Sequence, residues 1–325
     1  MIRPFDWRDL NLVRRLQDQG HVLNYEQALL EGAFPLRQAL IGYLTLGSWG
    51  MQTLVLPRRG FVQLTCQPDA NRAYLCYLSV STPEDWLPLL EGTVAYLGRH
   101  GIHRLVVEAP EGGEAIGHLQ RAGFALYAHQ QIYRLDRPPA GLQVGTLPGL
   151  RPYRAADRWA VRSFYINLVP PLVRQAEGMW NGLQPDRWHA ALVLEQEQEI
   201  IAHLAVRRGR LGHALHLMLH PQADHHADLL LAHGLAVLRN APDRPIYCRV
   251  RRYQGGLDGA LRQVGFEPLL TTAVLVRHTV ARVIEPAWAR TPGLETPTEV
   301  STPSVPIHSV DQAGAVSIPT RRAGS

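Results

Sequence analysis

The chain has 325 residues, 46% apolar and 19% charged, which suits two ordinary domains of about 150 residues with packed cores. No apolar run reaches the roughly 18 residues of a membrane span, and the opening MIRPFDWRDL lacks the apolar centre of a secretory signal. The formal charge of +5 comes from arginine alone, because lysine is absent, so a Schiff-base lysine is excluded.

In chain order, IRPFDWRDLNLVRRL (2–16) predicts a short strand, an aspartate (Asp9) able to cap, and a helix. QTLVL (52–56), FVQLTC (61–66) and AYLCYLSV (73–80) predict three antiparallel strands, the last two joined by a turn at PDAN. A helix over about 84–99, a strand HRLVVEA (103–109) and a short helix near 113–122 follow. That helix stops at Gly123, a residue that takes a left-handed C-cap cheaply, and Phe124 opens the apolar run FALYAHQQIYRL, a strand. RPPAGLQVGTLPG (137–149) is a Pro- and Gly-rich linker.

The same grammar then returns. LRPYRAADRWAVRSF (150–164) repeats the opening segment, with Asp157 matching Asp9 and Val161-Arg162 matching Val13-Arg14. HAALVLEQ (189–196), EIIAHLAVRR (199–208) and HALHLMLH (213–220) predict three more antiparallel strands. A helix over about 224–239, a strand PIYCRV (245–250), a helix near 256–264 and a closing strand after Gly265-Phe266 complete the copy. The two pairs of landmarks are 148 and 142 residues apart, so the copies have nearly equal internal length. The expected fold is α/β, a mixed sheet with helices on its faces, built twice: 1–136 and 150–286, joined by 137–149. Residues 287–325, rich in Pro, Thr and Ser without periodicity, read as a disordered tail.

These landmarks, in this order and present twice, resemble the GNAT superfamily of acyl-CoA-dependent N-acetyltransferases over about 2–135 and 150–282. The resemblance rests on the Arg-Pro-aromatic…Asp opening, the helix ending in Gly-Phe, and LHLMLHP (215–221), which is similar to the fourth strand and its exit. It implies a V-shaped opening between the fourth and fifth strands that holds the pantetheine arm of acetyl-CoA. The pyrophosphate would sit on backbone N–H groups at the start of the next helix, where the dipole favours an anion. The implied reaction moves an acetyl group to a small-molecule or peptide amine by direct attack. In the second unit the main chains of Leu217 and Leu219 would flank the pantetheine. Pro221, Gln222, Ala223, Asp224, His225, His226 and Ala227 would form the pyrophosphate cradle.

A general base need only collect an amine proton, and His216 and His220, at i, i+4 on one strand, share a face and are the candidates; a merely polar strand face is the alternative. The chain departs from the family pattern in two respects. No glycine occupies either cradle: QADHHADLLL follows Pro221, and SVSTPEDWLPLL brings Glu84 and Asp85 to the first unit. The usual general-acid tyrosine, four residues before the Gly-Phe glycine, is replaced by Leu119 and Leu261. A second reading therefore stands beside the transferase: a non-catalytic tandem module, a pseudoenzyme that binds a ligand or partner.

Six histidines crowd 213–233, yet without HExxH or CxxC they read as a histidine-rich surface or pocket lining rather than a metal site. The clusters Arg58-Arg59, Arg207-Arg208 and Arg249, Arg251, Arg252 lack aromatic interleaving and read as solvated faces, not a nucleic-acid surface. Three scattered cysteines, Cys66, Cys76 and Cys248, form no disulfide framework and fit a reducing cytoplasm.

Overall fold

The computed structural model describes residues 1–45, 51–67, 71–139, 141–142, 144–177 and 188–279. The segment read as a tail, 287–325, and most of the PDAN turn lie outside the described residues.

The first unit runs β1 (Arg3–Pro4), α1 (Leu10–Leu16), β2 (His21–Val22), α2 (Tyr25–Glu31), α3 (Pro35–Leu44), β3 (Met51–Leu56), β4 (Gly60–Gln67), β5 (Arg72–Val80), α4 (Trp86–Arg99), β6 (Arg104–Pro110), α5 (Glu114–Arg121) and β7 (Ala125–Leu135). The second runs β8 (Leu150–Pro152), α6 (Arg158–Leu168), α7 (Pro171–Glu177), β9 (Ala190–Gln196), β10 (Glu199–Arg208), β11 (His213–Leu219), α8 (Ala227–Val237), β12 (Ile246–Arg251), α9 (Leu257–Val264) and β13 (Glu267–His278).

The repeated landmarks fold alike. Arg3 forks onto Asp9 at 2.6 and 2.8 Å, and Arg151 forks onto Asp157 at 2.7 and 2.8 Å. Each aspartate also accepts a backbone N–H three residues earlier, from Asp6 or Arg154, so it fixes the turn into the helix as well as the arginine. Gly123 and Gly265 have φ of +77° and +100°, the left-handed ending that a Cβ would disfavour. Phe124 and Phe266 then donate their N–H groups to Leu119 and Leu261 carbonyls and lead directly into β7 and β13.

Helix α4 starts at Thr82-Pro83, through a short 3-10 turn, and buries Trp86, Leu89, Leu90, Thr93, Val94 and Leu97 along one stripe. Helix α8 buries Leu230, Leu231 and Leu235 against the other half of the same sheet face.

All strands join one mixed sheet in the order β1-β3-β4-β5-β6-β13-β7-β12-β11-β10-β9-β8, with β2 paired to β5. The closing strands are therefore exchanged: β13 lies between β6 and β7, and β7 lies between β13 and β12. Ala273 and Leu275 of β13 complete the core of the first unit, while Tyr133 and Leu135 of β7 complete that of the second. On the opposite face, α6 and α7 build a third cluster with Val106, Val274 and Val276, and α2 reaches from the first unit onto β11 of the second. Among the described residues no helix is long and apolar enough to cross a membrane.

Candidate functional site

Both units hold a parallel strand pair that splays. In the first, β5 and β6 are in register from Arg72 with Arg104 to Tyr74 with Val106 and then part. In the second, β11 and β12 are in register from His213 with Ile246 to Leu215 with Cys248 and then part. Past such a fork the strands have unpaired backbone groups that something must satisfy.

The chain itself satisfies them. In the first fork, β2 pairs with β5, and the next residue bridges the gap: the Leu23 N–H donates to the Cys76 carbonyl at 2.9 Å and the Leu23 carbonyl accepts from the Glu108 N–H at 2.9 Å. Where that opening meets the starts of α4 and α5, Trp86 is packed between His21 and His118, with ring centroids 5.0 and 4.9 Å away. In the second fork the plug is one side chain. Gln254 Nε2 donates to the Leu217 carbonyl at 3.0 Å, and its Oε1 accepts the Arg251 N–H at 3.0 Å. Cys76 and Leu217 occupy equivalent positions, two residues beyond the last paired residue of their strands, so the same carbonyl is taken in each unit.

The residues named for the cofactor cradle follow β11, and the first backbone donors among them are engaged within the chain. Pro221 has no N–H, the Gln222 N–H goes to His220 Nδ1 at 3.3 Å, and the Ala223 N–H goes to the His220 carbonyl at 2.8 Å. Residues 221–226 form a 3-10 turn, and Ala227, buried, starts α8. The Asp224 carboxylate packs on Gly256, where a Cβ would collide with it, so α8 and α9 are drawn together at their starts. His225 and His226 lie against each other, and the Leu217 and Leu219 side chains belong to the core.

The two candidate bases part company. His220 caps the 3-10 turn, whereas His216 enters a cavity and places Nε2 3.3 Å from Glu26. The remaining histidines disperse: His213 bonds the Pro242 carbonyl and His233 the Gly145 carbonyl.

That cavity, about 270 Å³, is walled by elements of both units. Its wall combines Glu26 of α2, Arg72 and Tyr74 of β5, Glu108 of β6, Tyr127 of β7, Glu177 of α7, Arg207 of β10, His216 of β11, and Arg249 and Arg251 of β12. Glu26 meets Arg207 at 2.9 Å and Arg249 at 3.1 Å, and Arg249 meets Glu108 at 2.9 Å. Glu108 also accepts the Tyr25 N–H at the start of α2. Arg251 pairs with Glu177, which accepts the Tyr127 hydroxyl at 2.8 Å.

Burial alone would raise the Glu26 carboxyl, but His216, Arg249 and Arg207 outweigh it and hold the group well below the usual carboxylate range. Burial, with the Glu177 charge, pushes the Tyr127 phenol well above its ordinary value. The ion pairs thus neutralise much of the wall charge within the chain.

Sequence reasoning missed most of this lining. Arg207, Arg249 and Arg251 do not form solvated faces: all three turn inward, and Arg251 is buried. The available signal was alternation, since Arg249 and Arg251 fall on one face of an otherwise apolar strand, IYCRVR. Glu26, Glu108 and Glu177 carried no local signal, because each is an isolated acid on a different element.

No family model and no curated protein sequence matches the chain. Solved structures do. A tandem GNAT protein from the clavulanic acid biosynthesis pathway, determined without acetyl-CoA, superposes with a TM-score of 0.54 at 16% identity over 86% of this chain and 98% of its own. A Drosophila protein superposes with a TM-score of 0.53 at 15% identity, again over 86% and 98%. The chain has the tandem GNAT fold.

Proposed function

We propose that this tandem GNAT fold serves as a small-molecule-binding module, its ligand held in the charged cavity between the units, rather than as an acetyl-CoA-dependent transferase. One observation carries the reading: at both forks the carbonyl that a pantetheine arm would border is already bonded within the chain, Cys76 to Leu23 and Leu217 to Gln254. The first plug is backbone, tied at both edges of the fork, and opening it would break two strand-like hydrogen bonds and unseat the entry to α2. The exhausted N–H groups at 221–223 and the Asp224 carboxylate beside Gly256 support the same reading at the pyrophosphate end of the second unit.

The transferase reading keeps one specific observation in the second unit. Its fork is closed by a single side chain, and His216 stands beside it on the cavity wall. Rotation of Gln254 would free the Leu217 carbonyl for acetyl-CoA, with an amine delivered from the cavity. Calorimetric titration of acetyl-CoA into the intact protein and into Gln254→Ala separates the two. The binding-module reading expects no saturable heat from the parent and at most weak binding after the plug is removed. Saturable binding to the parent, with thiol release on adding an amine, would establish the transferase instead.

A further inference from the structure

Four arginines line the cavity, and three have carboxylate partners: Arg207 with Glu26, Arg249 with Glu26 and Glu108, and Arg251 with Glu177. Arg72 has none among the described residues. It is 2% exposed, its Nη2 donates to the neutral Gln67 Oε1 at 2.5 Å, and its guanidinium carbon lies 5.1 Å from the centre of the Tyr74 ring. Its Nε and Nη1 meet no acceptor, and neither does Nη1 of Arg251.

A buried ion without a counter-charge costs several kcal/mol, and most side chains escape that cost by changing protonation state. A guanidinium cannot, because it does not deprotonate in a protein. Among the described residues no carboxylate lies within ion-pair distance of Arg72 to balance that charge. Resting on the binding-module reading above, we infer that the cavity binds a small carboxylate, whose anionic oxygens take the unpaired N–H groups of Arg72. A carboxylate fits better than a phosphate dianion, since Glu26, Glu108 and Glu177 share the same walls and Arg72 offers one unbalanced charge. Glu31 also lines the cavity, but it is half-buried and reaches solvent. The volume suits a compact metabolite, below the usual range for larger cofactors.

The test reads Arg72 directly. Protein carrying ¹⁵N-arginine gives resolved Nε–Hε signals for buried guanidinium groups, and the Arg72 signal is assigned by its loss in Arg72→Gln. Acetate, benzoate and phenylacetate are titrated against acetamide, benzamide, phenylacetamide and inorganic phosphate. The expected result is a saturable shift of the Arg72 signal with at least one carboxylate, and none with the amides or phosphate. A second variant guards against misfolding of the first. Gln67→Glu places a carboxylate on Arg72 from within, so it should raise the melting temperature and weaken carboxylate binding by about tenfold or more.

An Arg72 signal unmoved by every carboxylate, equal shifts from the amides, tighter binding of phosphate, or a lowered melting temperature in Gln67→Glu would each overturn the inference. Acetyl-CoA binding would refute the reading it rests on without moving these signals, whereas a silent Arg72 would leave the closed forks intact.

Discussion

His203 makes the cavity region sensitive to acid by an amount that can be worked out. It lies on β10, 1% exposed, with ring contacts to Trp188 at 4.9 Å and Tyr153 at 6.0 Å, and its Nε2 meets no partner. Burial, reinforced by nearby His216, pushes its pKa down to about 3. The folded value lies below the unfolded value of about 6.5, so the folded state binds fewer protons between them. Stability is complete above about pH 6.5 and is lost as pH falls toward about 3. On going from about pH 7 to about pH 5, this one group costs about 2 kcal/mol, or roughly 1.5 units at about 1.36 kcal/mol each. For a folded body of this size that corresponds to about 3 °C in melting temperature. His203→Phe keeps an aromatic ring and removes the titration. Calorimetric melting of parent and variant at both pH values should show the parent losing about 3 °C more than the variant. Equal losses would refute the assignment of this acid sensitivity to His203.

Glu26→Gln should cost about 3 kcal/mol or more, because it strands Arg207 and leaves Arg249 with Glu108 alone; urea melts measure it. Since the Glu26 carboxyl is held low, its contribution is present above the ordinary carboxylate range and lost as pH falls through the lowered value, so the variant should also show a flatter acid limb. Gly149→Ala should cost about 2 kcal/mol or more, because φ is +81° there and the new Cβ meets the Glu195 carbonyl oxygen; Gly117→Ala, inside α5 with open space around it, should instead gain about 0.5–1 kcal/mol. A fragment of residues 1–149 made alone lacks Ala273 and Leu275 in its core and leaves β6 and β7 without β13, so size-exclusion chromatography should show aggregate, with a soluble species recovered on co-expression of 150–325.

What the sequence revealed and concealed divides along physical lines. Local rules were legible: a left-handed glycine after a short helix, the strands, and an aspartate opening a helix, repeated 148 residues apart, are all set by near neighbours. The exchange of β7 and β13 was not. Each strand reads the same whichever sheet edge it joins, because both cores offer an apolar face at that place. The plugs were equally hidden, since His21-Val22-Leu23 and Gln254 act through hydrogen bonds to residues far along the chain. His216 was singled out for sharing a strand face with His220, yet its partner Glu26 comes from the other unit. The absent loop glycines were legible in the sequence, but the groups that take the Gln222 and Ala223 N–H donors needed coordinates.

The most direct measurement of the central claim is amide hydrogen exchange at the two forks, with and without saturating acetyl-CoA. The Leu23 and Glu108 amides, which close the first fork, and the Arg251 amide, which meets Gln254 in the second, each have a partner inside the chain. Closed forks predict protection at all three comparable to the interior of β4 and β10, unchanged by acetyl-CoA. Rapid exchange at these amides in the free protein, slowed on adding acetyl-CoA, would show that the forks stand open and receive the cofactor, and would contradict the account.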